Sequence, residues 1–427
     1  MALQGNGERV AVVDGLRSPF AKGWTTLNGI GPVGLSTAVA RELLYRNELP
    51  ASELDHVVWG TVISVVRAPN VAREVALNLG MYRTPGFTLT RACATGLQCI
   101  ASAADMIRAG SADVVLAGGV DMASYAPVLH KKKVIDVLQK AQKQKGLGLA
   151  KTLAGVNPAD LFPSPPKLTE PYTGKTMGEH AEEMAQYFQI TRKAQEVFSM
   201  ESHRKATAAI NGGLLDGQVS AVRTPDGVVE ADNLVRETMR PEKLASMRPV
   251  FDRRHGTITA ATSSALTDGA ACVLLMRESR ARELGYEPLG YLRSYAFSAH
   301  DPRENMLLGN AYSTPEALKR AGLDAGDVDL WEIHEAFAAQ VLCNLACFGD
   351  AAFAEEKLGL GQPLGDPDPG SINIWGGSLA YGHPFAATGF RLVTGLLHAL
   401  RHRDAALGVA TACAAGGLGS AMVLERA

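Results

Sequence analysis

The chain has 427 residues, 46% of them hydrophobic and 20% charged, enough for two or three domains around a large core. Its net charge of −2, from 42 basic and 44 acidic residues, excludes a global attraction to nucleic acid or to an anionic membrane. Six irregularly spaced cysteines exclude a disulfide framework. The N-terminus carries no apolar run after its charge, so it does not read as a signal peptide. No uninterrupted apolar segment is long enough to span a bilayer. A soluble, cytoplasmic protein is expected.

Taken in order, Val10–Val13 reads as a strand, Val33–Arg46 as a helix, Val57–Trp59 as a strand and Ala68–Leu79 as a second helix. Thr90-Arg-Ala-Cys93-Ala-Thr-Gly-Leu97 follows an extended stretch and opens a helix from Ala94 to about Arg108. Leu97, Ile100, Ala101, Ala104 and Ile107 recur at helical spacing, and Cys99, Ala103 and Met106 make the other face apolar too. Such a helix belongs inside a core. Cys93 therefore sits where free N–H groups and the positive helix end meet. That spot suits a stabilised, nucleophilic thiolate. It suits a small buried core cysteine equally. Asp113–Ala117 then reads as a strand closed by Gly118-Gly119. Strands alternating with helices imply a mixed or parallel sheet covered on both faces.

The character changes near Met122. His130-Lys-Lys-Lys133 opens a basic segment, and Asn157–Tyr172 holds too many prolines for regular structure. Glu179–Phe188 and Thr191–Ile210 read as amphipathic helices, with Thr191 as N-cap and Gly212-Gly213 as stop. The expected division is a first half over 1–121 and 252–278, an inserted loop domain over 122–251, and a second half over 279–427. Pattern returns at Gly256–Ser264 and in a strand near Ala271–Met276.

The second half echoes the first. Leu49–Asp55 before Val57 is matched by Leu323–Asp329 before Trp331. Ala94-Thr95-Gly96 is matched by Ala387-Thr388-Gly389, and Leu116–Gly119 by Ala414–Gly417. The common order implies two α/β halves of one ancestry, packed with their apolar helices between two sheets.

Four positions carry chemistry: Cys93, His334 in Trp331-Glu-Ile-His-Glu-Ala-Phe337, His383 in Gly382-His-Pro384, and Cys413 in Thr411-Ala-Cys-Ala-Ala-Gly-Gly417. All fall at strand ends or helix starts among glycines, the rim where α/β sheets bind ligands. A zinc site fails on spacing, since no Cys-x2-Cys pair occurs. Cys343 and Cys347 read as core. A Cys/His hydrolase leaves the second cysteine, in a Gly-rich turn, unexplained.

Arg-Ala-Cys-Ala-Thr-Gly-Leu, His-Glu-Ala-Phe, Gly-His-Pro-Phe-Ala-Ala-Thr-Gly and Cys-Ala-Ala-Gly-Gly-Leu-Gly resemble the signature blocks of thiolases, in family order and across essentially the whole chain. Within that family the chain most resembles the thiolase (β) subunit of the fatty-acid β-oxidation trifunctional complex, a 3-ketoacyl-CoA thiolase. His334 marks this, standing where most thiolases carry Asn.

The resemblance implies a thiolase fold, α/β in layered αβαβα order, with an inserted loop domain. It implies an acyltransferase that cleaves 3-ketoacyl-CoA with CoA by a ping-pong route. Cys93 matches the nucleophile, Cys413 the acid and base, and His383 the group that activates Cys93 and helps bind a thioester oxygen. His334 matches the residue of the thioester oxyanion hole, acting through water or directly. A second hole uses the N–H of the nucleophile and of a Gly whose place Ala415 takes here, so the backbone must not need a Gly-only conformation. Ser264 falls where the family places a serine near the pantetheine arm; a turn-stabilising hydroxyl is the other reading. Lys131–Lys133 faces the CoA 3′-phosphate, a partner, lipid headgroups or only solvent. Glu335 supports its turn or orients a neighbour, and His56, His203, His300, His398 and His402 are surface or structural.

CoA enters as substrate, with no metal and no other cofactor expected. A homodimer is expected, joined or not to a hydratase/dehydrogenase (α) subunit, with no nucleic-acid partner and membrane contact left open. Two rivals are a condensing ketosynthase, which Cys413 speaks against, and a silent lipid carrier, which the full set of four positions speaks against.

Overall fold

The structure is a computed structural model, and it describes residues 8–154, 157–162 and 169–427. Its first series of elements is β1 (Val10–Arg17), α1 (Pro32–Arg46), β2 (His56–Gly60), α2 (Val71–Asn78), β3 (Gly86–Leu89), α3 (Thr95–Arg108) and β4 (Val114–Met122). Two helices of the insertion follow, α4 (Met177–Tyr187) and α5 (Arg192–Asn211), before β5 (Thr267–Arg277) completes the series. The second series is β6 (Gly290–Ala299), α6 (Gly309–Ala321), β7 (Leu330–Ile333), α7 (Ala338–Phe348), α8 (Phe385–Arg403), β8 (Leu407–Ala414) and β9 (Leu418–Arg426).

The strands form one mixed sheet in the order β7-β8-β9-β6-β1-β5-β4-β2-β3, with the two-residue strand Ala21–Lys22 added on β5. Outward from its middle, both halves run in the same order: β1, β5, β4, β2 on one side and β6, β9, β8, β7 on the other. The halves join through an antiparallel pairing of Val10, Ala11 and Val12 with Leu292, Tyr291 and Gly290. The two sheets expected are thus continuous by hydrogen bonding. The helices α3 and α8 pack on each other and touch strands of both halves. Three apolar clusters follow this layering: one around α3 and α8, one under α1 and α2, and one under α6 and α7. The layered αβαβα order is the one observed.

The central helices cross where the repeat aligns them. A Cβ on Gly96 would lie 2.6 Å from the Ala386 carbonyl oxygen and 2.9 Å from Gly389 Cα. A Cβ on Gly389 would lie 2.6 Å from the Leu97 nitrogen. Only hydrogen at both positions lets the backbones approach this closely.

Gly118-Gly119 does not close its strand. Both residues lie inside β4, which runs to Met122. A Cβ at Gly118 would meet the Trp59 ring at 2.3 Å, and one at Gly119 the Ala386 carbonyl oxygen at 2.8 Å. Here glycine makes room for a ring and a helix start, not a turn.

The inserted segment is more regular than a loop. Thr191 caps α5 by accepting from the Ala194 N–H, as its sequence implies. Thr176 and Glu179 form a capping box on α4. Both helices pack on α7. The basic run opens a helix, Lys132–Gln142; Lys131 and Lys133 pair with Asp160, and Lys132 with Asp136. Of the proline-rich stretch, Pro158–Asp160 forms a short 3-10 turn. Pro163, Pro165 and Pro166 lie outside the described residues, as does the N-terminal Met1–Gly7.

Candidate active site

Cys93 lies one residue before Ala94, the N-cap of α3. Ala92 beside it holds φ at 45°, a left-handed conformation that a Cβ-bearing residue rarely adopts. Thr95 holds that bend: its Oγ1 accepts the Arg91 N–H at 2.7 Å and donates to the Ala92 carbonyl at 2.6 Å. Cys93 is partly accessible, yet burial pushes its thiol up to about 12. The N–H groups of Ala415 and of Cys93 itself pull it back, and the nearby Asp121 carboxylate pushes it further up. Of the two readings the sequence leaves open, thiolate and buried thiol, burial favours the neutral thiol. Desolvation outweighs the helix end and its N–H donors.

Cys413 is buried within β8, opposite Gly419 in β9. It is a strand residue, not part of a Gly-rich turn, because β8 continues to Ala414. Burial pushes its thiol up as well, and the Cys93 thiol adds to the push. The two sulfurs therefore share one neighbourhood, although 320 positions separate them in sequence (413 − 93). Gly416 and Gly417 take positive φ angles of 82° and 68°, whereas the φ of Ala415 is not positive. Its methyl group is thus compatible with an N–H aimed at Cys93.

His334 follows β7, and its N–H bonds the Thr411 carbonyl at 2.8 Å, extending the parallel pairing with β8. That places it two residues from Cys413 along the neighbouring strand. His383 stands one residue before Pro384, the N-cap of α8, the same offset that Cys93 has from α3. The Thr267 hydroxyl accepts the His383 N–H at 3.0 Å. The two imidazoles lie with centroids 4.0 Å apart. Their Nδ1 atoms are engaged, His334 with Ser378 Oγ at 3.0 Å and His383 with Thr388 Oγ1 at 2.7 Å. Both Nε2 atoms are buried, with no hydrogen-bond partner among the described residues. Burial, then Arg391, lowers His383 to about 3. Burial, then His383 and Arg391, brings His334 well below its ordinary value. Both rings rest neutral.

Asp121 ties the thiol side to the start of α8. It accepts N–H groups from Val62 at 2.9 Å and Ile63 at 2.6 Å on one oxygen, and from Ala386 at 2.7 Å on the other. Burial still raises it to about 7. Sequence reasoning missed Asp121, although a carboxylate directly after Gly-Gly-Val in a core strand was a visible signal.

Ser264 is pinned by its backbone, its N–H bonding the Ala336 carbonyl at 2.9 Å beside the His334 loop. Leu266 bridges to His383, so this one segment touches both histidine loops. Glu335 is buried and braces the same loop: it accepts from Ser202 at 2.7 Å, Asn373 at 2.7 Å and the Leu379 N–H at 3.1 Å. Ser378, Arg391 and Glu332, a buried polar group behind His334, had no sequence signal of their own. His203 and His300 are structural: His203 Nδ1 accepts the Arg236 N–H at 3.1 Å, and His300 stacks on Tyr312 at 4.7 Å. Among the described residues no cluster of His, Cys, Asp or Glu is arranged to hold a metal, and no helix is long and apolar enough to cross a membrane.

Paired α/β halves that present two thiols and two imidazoles at neighbouring strand ends define the class of this protein: a layered α/β enzyme with a duplicated core. Comparison with known proteins specifies it. Residues 10–279 match the thiolase N-terminal domain and residues 286–426 the thiolase C-terminal domain. The chain is 47% identical over 423 residues to a 3-ketoacyl-CoA thiolase of Shewanella pealeana, covering 98% of this chain and 97% of that one. It is 48% identical, at the same coverage, to a 3-ketoacyl-CoA thiolase of Aeromonas salmonicida. Among solved structures it resembles human mitochondrial 3-ketoacyl-CoA thiolase in complex with CoA, with a TM-score of 0.84 at 28% identity and 98% coverage of each chain. Bacillus anthracis acetyl-CoA acetyltransferase matches with a TM-score of 0.83 at 30% identity, covering 98% of this chain and 99% of that one. The chain belongs to the thiolase family and is an acyltransferase.

Proposed function

We propose that this thiolase is a 3-ketoacyl-CoA thiolase of fatty-acid β-oxidation, working by a ping-pong route through an acyl-cysteine. One observation supports the mechanism: Cys93 and His383 stand at the same offset from the crossing helices α3 and α8, and the His334 N–H bonds Thr411, two residues before Cys413 on β8. The names of the full-length relatives support the substrate class.

The resting groups are a neutral thiol and a neutral imidazole, so the charge is created during reaction. Cys93 attacks C3 of the 3-ketoacyl thioester and passes its proton to His383. The oxyanion on C3 takes the N–H groups of Cys93 and Ala415. Collapse breaks the C2–C3 bond, leaving the acyl group on Cys93 and the electron pair on C2. The thioester oxygen of that enolate faces His334 and His383, while Cys413 protonates C2 and acetyl-CoA departs. Cys413, now a thiolate, takes the proton of incoming CoA. The CoA sulfur accepts the acyl group, and Cys93 recovers its proton from His383. Covalent catalysis of this kind divides one difficult step into two easier ones.

Ser264 borders the pantetheine arm in this proposal. The chain works in the cytoplasm as a homodimer, with a hydratase/dehydrogenase (α) subunit as candidate partner. Its division into halves over 1–121 with 252–278 and over 279–427, and an insertion over 122–251, accords with α4 and α5 leaving the chain between β4 and β5. CoA-dependent loss of the enolate absorbance of acetoacetyl-CoA, and of longer 3-ketoacyl-CoA, tests the activity. Binding without turnover, or condensation only with a malonyl donor, would overturn it.

A further inference from the structure

Behind His334 lies a buried polar chain with one direction. Glu332 faces Arg391 at 3.6 Å, and both side chains are buried. Arg391 donates to Ser378 Oγ at 3.3 Å, and Ser378 Oγ meets His334 Nδ1 at 3.0 Å. Arginine has no acceptor, so Ser378 receives a hydrogen from Arg391 and keeps its own to give. His334 Nδ1 is the other recorded partner of that hydroxyl. A buried hydroxyl hydrogen left unpaired costs about 1–3 kcal/mol. Ser378 therefore donates to Nδ1, and Nδ1 holds no proton. The proton of the neutral ring must then sit on Nε2, the atom that is buried and without a partner.

Resting on the thiolase mechanism above, we propose that Ser378, oriented by Arg391 and Glu332, is a positioning residue that fixes His334 as its Nε2–H tautomer. His334 thereby presents Nε2–H as a hydrogen-bond donor towards the thioester oxygen. The other tautomer would present a lone pair to the developing oxyanion and repel it. A donor of this kind is typically worth ~10²–10³ in rate.

Selective 15N-histidine labelling of the full-length protein tests this without altering the site. The His334 resonance is identified by its loss in His334→Asn. Its Nε2 is expected to carry the proton and its Nδ1 none; a protonated Nδ1 in the unmodified protein would overturn the proposal. In Ser378→Ala the Nδ1–H form should gain population. The value of kcat should fall by roughly 10- to 100-fold with KM little changed, as when a transition-state contact is lost. Ser378→Thr keeps the hydroxyl and should restore the tautomer and most of kcat. A Ser378→Ala protein that retains the Nε2–H form refutes the relay, whatever its rate. The tautomer is read without substrate, so an enzyme that lacks thiolysis but holds Nε2–H would sink the functional proposal and leave this one standing.

Discussion

The sulfur side and the imidazole side of the site are both buried, and burial acts on them in opposite directions. It raises Cys93 to about 12 and lowers His383 to about 3, because each loses water around its charged form. The outcome is the same on both sides, a neutral group at neutral pH. Each side also has its own brace. On the thiol side the Asp121 carboxylate holds the N–H groups of Val62, Ile63 and Ala386; on the imidazole side Ser378 and Thr388 hold the two Nδ1 atoms. The reacting thiol and imidazole thus form no ion pair at rest. The site waits for a substrate whose oxyanion makes proton transfer favourable.

The largest expected effect falls on the sulfur side. Cys93→Ala should abolish the acyl-enzyme, seen by intact mass after brief exposure to a 3-ketoacyl-CoA; an acylated variant would move the nucleophile elsewhere. Next comes Cys413→Ala. It should still acylate Cys93 slowly, while steady-state turnover falls by ~10²–10⁴, the usual worth of a positioned acid or base. Normal turnover would remove Cys413 from the proton path.

The contrast between burial and helix end is sharpened by alkylation. With the thiol near 12, the thiolate fraction climbs with pH throughout the accessible range. Modification of Cys93 by iodoacetamide, followed by peptide mass spectrometry, should accelerate about tenfold per pH unit up to about pH 10. A plateau near neutral pH would show that the helix end prevails. The smallest effect is on stability at the crossing that joins the two sides. Gly96→Ala forces a Cβ to 2.6 Å from the Ala386 carbonyl and should cost about 1–3 kcal/mol in denaturant unfolding. Gly395→Ala, also in α8 but with no atom within 4 Å of the new Cβ, should gain up to about 1 kcal/mol instead.

What the sequence made legible was local chemistry. The buried character of α3, the Thr191 cap and the four Gly-flanked positions could each be read from a short window. Glycine was harder, since Gly118 looks like a turn until Trp59 is known to lie against it. The resting state of Cys93 stayed open between thiolate and buried thiol for a similar reason. A helix start is visible in sequence, but the enclosure that overrides it comes from distant segments. Ser378 and Arg391 are 44 and 57 positions from His334 (378 − 334 and 391 − 334), and nothing local marks them as its partners. Asp121 was passed over because the strand was ended at Gly118-Gly119, short of it.

One continuous sheet also limits how this enzyme can move. Swinging one half against the other would shear the Val10–Val12 pairing with Gly290–Leu292 and pry apart the interlocked helices at Gly96 and Gly389. Adjustment at the site is thereby left to side chains and to the segments that lie over the sheet ends.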